Sequence, residues 1–161
     1  MSLSNAKMLM RDLAKSLGTD GDVLGDDGLC TITVGEKWIP PVHICYLDPD
    51  NSMLFFAEIG LLTSDRELEI LRELMHRQYL FSATNGVTTS LSGDRNALTV
   101  QFKFSLADLT AQDLGQYLND FVGEVARVKI LVCGRKPEDD ASGSDAAGEV
   151  DHALSGLALN V

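Results

Sequence analysis

One stretch of the chain alternates apolar and polar side chains from end to end: Leu98-Thr99-Val100-Gln101-Phe102-Lys103-Phe104. Successive side chains of a β-strand point to opposite faces of a sheet, so this alternation is typical of a strand with one buried face. The pattern predicts a strand whose inward residues are Leu98, Val100, Phe102 and Phe104.

The residues that flank this strand predict a hairpin before it and a helix after it. Residues 87–91 alternate in the same way, and Gly93-Asp94 supplies turn chemistry. Apolar residues then recur at helical spacing from residue 110 or 111 to about Val132, where Gly134 ends the helix.

The first part of the chain predicts a helix and three strands. Ser4 is the expected N-cap and Gly18 the expected stop of a helix over residues 5–17. The third strand is apolar on both faces, which indicates that both faces are covered. The strands are predicted over residues 29–34, 42–47 and 53–59.

A second long helix connects these strands to the hairpin. Ser64 and Glu67 form a capping-box signature for a helix over residues 65–81. Its wide apolar surface indicates an interface beyond the core of one chain, and a fully buried central helix is the alternative. The order is therefore α-β-β-β-α-β-β-α, an α+β fold in which helices pack on an antiparallel sheet.

Length and charge limit the class of protein. The 161 residues suit one domain, and 13 Lys and Arg against 24 Asp and Glu give a net charge of −11. Such an acidic chain argues against nucleic acid or an anionic membrane as a partner. We expect no membrane insertion and no leader peptide. The scattered Cys30, Cys45 and Cys133 fit small buried hydrophobes in a reducing cytoplasm.

The composition changes near residue 134. Residues 1–134 form the predicted domain, and residues 135–161 form an acidic C-terminal tail. We expect a flexible linker over residues 135–149 and a short amphipathic helix at 150–161. The apolar stripe of this helix either docks on its own or a neighbouring chain, or has no binding role. The stripe consists of Val150, Leu154, Leu157 and Val161.

Motifs for catalysis are absent from the sequence. The chain has no GxSxG, P-loop, HExxH or GxGxxG motif, and its three histidines lack the spacing of metal ligands. We therefore expect no enzyme activity, no metal and no other cofactor. A small enzyme or ligand-binding domain is the alternative, which a convergent polar cluster in a closed pocket would favour.

A series of local motifs covers about residues 3–132. The motifs are the N-terminal helix ending in Leu17-Gly18, Asp26-Asp27-Gly28-Leu29-Cys30, Phe55-Phe56-Ala57-Glu58-Ile59-Gly60, Leu71-Arg72-Glu73-Leu74-Met75 followed by Ala83-Thr84-Asn85-Gly86-Val87, and Phe104-Ser105-Leu106-Ala107-Asp108-Leu109. In this order they resemble the class I type III secretion chaperones, the Tir-chaperone-like family.

The resemblance implies a bacterial cytoplasmic homodimer without enzymatic activity. Its partner would be a secreted effector protein, bound through an extended N-terminal region and kept soluble and secretion-competent. Grooves and sheet edges suit such a client. A regulatory or stress-related interaction protein with the same fold is the alternative.

The resemblance also implies two sets of site residues. Client binding is expected at Leu9, Leu13, Ile32, Val34 and Phe102. The dimer interface is expected at Leu71, Met75, Gln78, Tyr79, Val87 and Thr89. A plain core role is the alternative for Leu13 and Phe102.

Overall fold

Three α-helices and an antiparallel sheet form the described part of the chain. The computed structural model describes residues 2–19, 23–34, 37–63, 65–93, 96–134 and 157–158. The helices are α1 (Leu3–Ser16), α2 (Glu67–Gln78) and α3 (Ala111–Cys133). The strands are β1 (Leu29–Val34), β2 (Val42–Leu47), β3 (Ser52–Leu61), β4 (Thr88–Leu91), β5 (Ala97–Ser105) and β6 (Leu157–Ala158).

The strands lie in the order β4-β5-β3-β2-β1-β6, and every neighbouring pair is antiparallel. The predicted α+β fold and its order α-β-β-β-α-β-β-α are confirmed over α1 to α3. The longest pairing joins β3 and β5, which are separated in sequence by α2 and β4. The middle of the sheet therefore depends on a non-local contact.

The core lies between the inner face of the sheet and the helices. Phe55 on β3 contacts Phe104 on β5 and Phe121 on α3, with ring centroids 4.9 Å and 5.8 Å apart. Tyr117 on α3 lies edge-on to Phe102 and Phe104, at 5.5 Å and 5.1 Å. These edge-to-face contacts are the favoured geometry for aromatic pairs. They fix α3 across the central strands.

The two faces of β3 differ. Met53, Phe55 and Ala57 are fully buried on the inner face. On the opposite face Leu54 and Phe56 are half-buried. The expectation that both faces are covered therefore holds for the inner face only.

A bulge interrupts β3 where Ile59 has no partner in the register with β5. An extra residue in one strand leaves its backbone groups outside the ladder. Lys129 of α3 donates to the Ile59 carbonyl at 2.8 Å. The lysine thus replaces the ladder partner that the bulge removes.

The helix ends differ in detail from the predicted ones. α1 begins at Leu3 with Ser2 at its N-cap position, so the predicted cap Ser4 lies inside the helix. α2 begins at Glu67 and has no side-chain cap, and Ser64 lies outside the described residues.

The start of α3 carries a capping box that the sequence analysis did not identify. The Thr110 hydroxyl accepts from the Asp113 N–H at 3.2 Å, and Asp113 accepts from the Thr110 N–H at 3.0 Å. These hydrogen bonds satisfy donors that a helix N-terminus leaves unpaired. The Thr110 hydroxyl and the Thr110 N–H both donate to the Asp113 carboxylate, and these hydrogen bonds hold its pKa below the usual range.

A buried carboxylate anchors α2 to α3. Glu124 is only 3% exposed, and both of its oxygens accept from Arg77, each at 2.9 Å. Arg127, one turn further along α3, lies 3.3 Å from the same carboxylate. Because a buried charge is costly unless it is paired, Arg77 fixes the position of α2.

The C-terminal segment forms a strand at the two residues that the structure describes there. Leu157 pairs with Val34 and Ala158 pairs with Thr33. At these positions the helix prediction for residues 150–161 is wrong, and the rest of that prediction lies outside the described residues.

We expect Arg77→Met to lower the free energy of unfolding by about 3 kcal/mol, because it removes the nitrogen that donates to both oxygens of the buried Glu124. The measurement is denaturation by urea. Replacing both residues, as Arg77→Met with Glu124→Leu, should restore most of the loss. Arg127→Met is the control and should cost less than about 1 kcal/mol, because that side chain is largely exposed. Wild-type stability in Arg77→Met would contradict the anchoring role.

Candidate functional site

A groove of about 340 Å³ lies between the end of α1 and the start of α3. A Cβ at Gly115 would lie 3.3 Å from Leu13 Cδ1, so the glycine allows the two helices to approach each other closely. In the described part of the chain the lining carries no ionisable side chain, which makes the groove suited to apolar groups. The lining residues are Leu13, Ser16, Leu17, Ala111, Gln112, Gly115, Gln116 and Leu118.

The five residues predicted to bind a client are not all on one surface. Leu13 lines the groove, although most of its side chain is buried. Leu9 and Phe102 are half-buried at the margin of the core. Ile32 is fully buried, so it has the position of a core residue and no free surface. The side chain of Val34 lies outside the described residues.

A second apolar surface, the α2 ridge, lies along α2 and the turn that follows it. Met75 is 61% exposed, Tyr79 71% and Leu80 77%. Large apolar side chains clustered in the open are typical of an interaction surface. The alternative of a fully buried central helix is therefore wrong for the single chain. The ridge consists of Leu68, Met75, Tyr79, Leu80 and Phe81.

The six residues predicted for the dimer interface divide into three kinds. Met75 and Tyr79 belong to the α2 ridge, whereas Leu71 is half-buried and Val87 is buried. The Gln78 side chain donates to the Thr89 hydroxyl and accepts from the Thr89 N–H at 3.4 Å. These two residues thus connect α2 to β4 and align the ridge with one edge of the sheet.

The turn after α2 has an unusual backbone. Leu80 and Phe81 both have φ near 54°, in the left-handed region that bulky residues seldom adopt. Each such residue costs about 1–3 kcal/mol and persists only where its surroundings hold it. Here the strained turn keeps two large apolar side chains at the surface.

The acidic turn before β1 closes one end of that strand. Leu29 donates its N–H to Asp27 Oδ1 at 3.0 Å, and its carbonyl accepts from the Gly25 N–H at 2.9 Å. Lys7 of α1 pairs with Asp26 and holds the pKa of that carboxyl below its usual range through a hydrogen bond and its charge. The Asp26-Asp27-Gly28-Leu29-Cys30 motif thus fixes where β1 starts.

The described residues show little reactive chemistry. None of their His, Cys, Asp and Glu side chains forms a group of three that could hold a metal ion. Burial raises the pKa of the Cys30 thiol to about 11, so this thiol is protonated at neutral pH and is a poor nucleophile. Within the same residues no helix is both long and apolar enough to span a bilayer.

Two features of these surfaces escaped the sequence analysis. The groove depends on Gly115, which allows α1 to approach α3. The signal for it in the sequence was a glycine within an otherwise apolar helix. The exposure of Leu80 and Phe81 depends on their positive φ values. Positive φ is usually signalled by glycine or asparagine, and neither residue occurs at these two positions.

Comparison with solved structures finds the same fold in proteins from three complexes. The chain has the fold of a protein in the HopA1–SchA chaperone–effector complex, with 14% identity, a TM-score of 0.64, and coverage of 80% of this chain and 98% of the other. For the ExsC–ExsE complex the identity is 14% and the TM-score 0.65, and the match covers 82% of this chain and 97% of the other. For the ExoU–SpcU complex of the Pseudomonas aeruginosa type III secretion system, the identity is 16% and the TM-score 0.63. The match covers 78% of this chain and 99% of the other.

A search of curated protein sequences found no match. The family model described as the Tir chaperone protein (CesT) family matches residues 8–129, from the second turn of α1 to the last turn of α3. This span contains the groove, the α2 ridge and the five main strands. Because the match covers most of the 161 residues, the chain belongs to the Tir chaperone protein (CesT) family.

Proposed function

We propose that this protein is a type III secretion chaperone of the bacterial cytoplasm. It binds the N-terminal region of an effector in extended form and keeps it soluble and secretion-competent, without catalysing a reaction. The observation that carries the proposal is the family match over residues 8–129. Three solved complexes with the same fold, one named as a chaperone–effector complex, support it.

The groove between α1 and α3 supports this function physically. Its lining suits an apolar side chain of a client, because burying one Leu-sized side chain contributes about 1.5–3 kcal/mol. An extended client needs no deep cavity, since short pockets and backbone pairing suffice. The net charge of −11 helps to keep a protein with exposed apolar surfaces in solution.

The α2 ridge supports a homodimer. Its exposed apolar side chains lie beside β4, at the opposite end of the sheet from β1. Interfaces of stable homodimers are apolar at their centres. In the proposed dimer the strained turn at Leu80 and Phe81 holds two apolar side chains at the surface before association. The entropic cost of ordering this turn on association is therefore small.

Capture of the client tests the proposed function. The tagged protein is expressed in its native bacterium, and proteins that copurify with it are identified by mass spectrometry. We expect an effector whose N-terminal segment alone binds and whose secretion stops when the chaperone gene is deleted. Binding through a folded domain of the captured protein, or secretion unaffected by the deletion, would refute the chaperone function.

Leu17→Asp should weaken binding of that client segment by about tenfold or more, because it places a charge in the groove. Met8→Asp is the control, since Met8 is exposed on α1, which Leu17 directly follows, and does not line the groove. Titration calorimetry measures the affinity, and circular dichroism checks the fold. Equal affinities for both variants and the wild type would exclude the groove as a client site.

Met75→Glu should convert the dimer to a monomer, because burying an unpaired charge at an apolar interface costs on the order of several kcal/mol. Sedimentation velocity at micromolar concentration measures the change. Glu73→Lys is the control, since Glu73 is exposed on the far side of α2 and should leave the dimer intact. A monomeric wild type at this concentration would overturn the dimer proposal.

A further inference from the structure

The outer edge of β1 pairs with the chain's own C-terminal strand. Thr33 lies opposite Ala158 and Val34 opposite Leu157, in antiparallel register. In the described part of the chain this pairing extends over these two residue pairs only. A strand edge is a template for any extended segment, so the occupant of this edge matters.

The register between β1 and β2 shows which backbone groups face the outer edge. Tyr46 donates its N–H to the Gly28 carbonyl at 2.9 Å, so the backbone of Gly28 faces β2. Backbone groups alternate in direction along a strand. Leu29, Thr31 and Thr33 therefore turn their N–H and carbonyl groups to the outer edge.

The two ends of this edge are occupied by different parts of the chain. Leu29 is satisfied locally, by Asp27 and Gly25 of the acidic turn. Thr33 is satisfied by Ala158, which comes from the far end of the sequence. The contacts of Leu29 are part of the turn that precedes β1. The pairing of Thr33, by contrast, is made by a separate strand, which another strand can replace.

The outer edge of β1 offers backbone groups beyond the two that face the described residues of β6. β6 lies opposite Thr33 and Val34, while Thr31 also turns its backbone outward. A client strand that pairs with both Thr31 and Thr33 makes more backbone hydrogen bonds than the two described residues of β6 make. Main-chain pairing of this kind is independent of side-chain identity, so it suits an extended peptide of varied sequence.

We propose that the outer edge of β1 is a strand-acceptor site, which β6 fills in the free protein. An extended client segment that pairs with this edge displaces β6. The filling of the edge by β6 stands independently, whereas the displacement by a client rests on the proposed function.

Ala158→Pro in the full-length chain tests the filling of the edge, because proline lacks the N–H that pairs with Thr33. Ala158→Val is the matched control, since valine keeps the N–H and favours strands. We expect exchange of the Thr33 amide hydrogen to be about tenfold faster in the proline variant and unchanged in the valine variant. Equally fast exchange in all three proteins would overturn the proposal.

Binding of a fluorescent peptide with the sequence of residues 150–161 is a second test of whether β6 occupies the outer edge of β1. Because the tethered strand competes at high effective concentration, we expect the peptide to bind Ala158→Pro about tenfold more tightly than the wild type. Ala158→Val should bind like the wild type. Equal affinity for all three proteins would show that β6 does not hold the edge.

The client segment identified by capture tests the displacement. It should bind Ala158→Pro several-fold more tightly than the wild type, and the copied peptide should compete with it. Equal affinities and no competition would overturn the displacement and leave the chaperone function intact. Failure to capture any client would refute the chaperone function, while the exchange and peptide measurements would still decide whether β6 fills the edge.

Discussion

The aromatic rings that β3, β5 and α3 share set the distance between the sheet and its helices. Phe55 contacts rings from both other elements, and Tyr117 closes the cluster from the side of α3. Close-packed cores transmit displacements rather than absorb them. Since the groove lies between α1 and α3, a shift of α3 over these rings would change the width of the groove. The core therefore shapes the surface that we assign to the client.

α2 is held by polar contacts as well as by its buried apolar residues, and it also exposes large apolar side chains. Glu124 and Arg77 anchor it to α3, and Gln78 connects it to β4. Ile70 and Leu74 are its buried apolar contacts. Because charged and hydrogen-bonded contacts fix geometry strictly, the helix keeps its place while Met75 and Tyr79 stay available. The monomer can thus present the ridge without rearranging.

Much of the architecture could be predicted from the sequence, because alternation and helical spacing depend on local residues. β1 and β2 have their predicted bounds, and α3 follows the predicted stripe to Gly134. The sites were less predictable, since periodicity marks Ile32 and Leu13 as apolar without showing whether the core or a groove receives them. The pairing of Thr33 with Ala158 joins residues that are far apart in the sequence, and no local pattern encodes it.

The pairing of β3 with β5 has a consequence for synthesis on the ribosome. β1, β2 and β3 follow one another with short connections, so they can form a meander from local contacts as soon as they emerge. Their inner face, however, is completed by β5 and by Phe121, Val125 and Val128 of α3, which are translated well after these strands. The nascent chain consequently carries an incompletely covered apolar sheet until late in translation, and the risk of aggregation is highest in that interval.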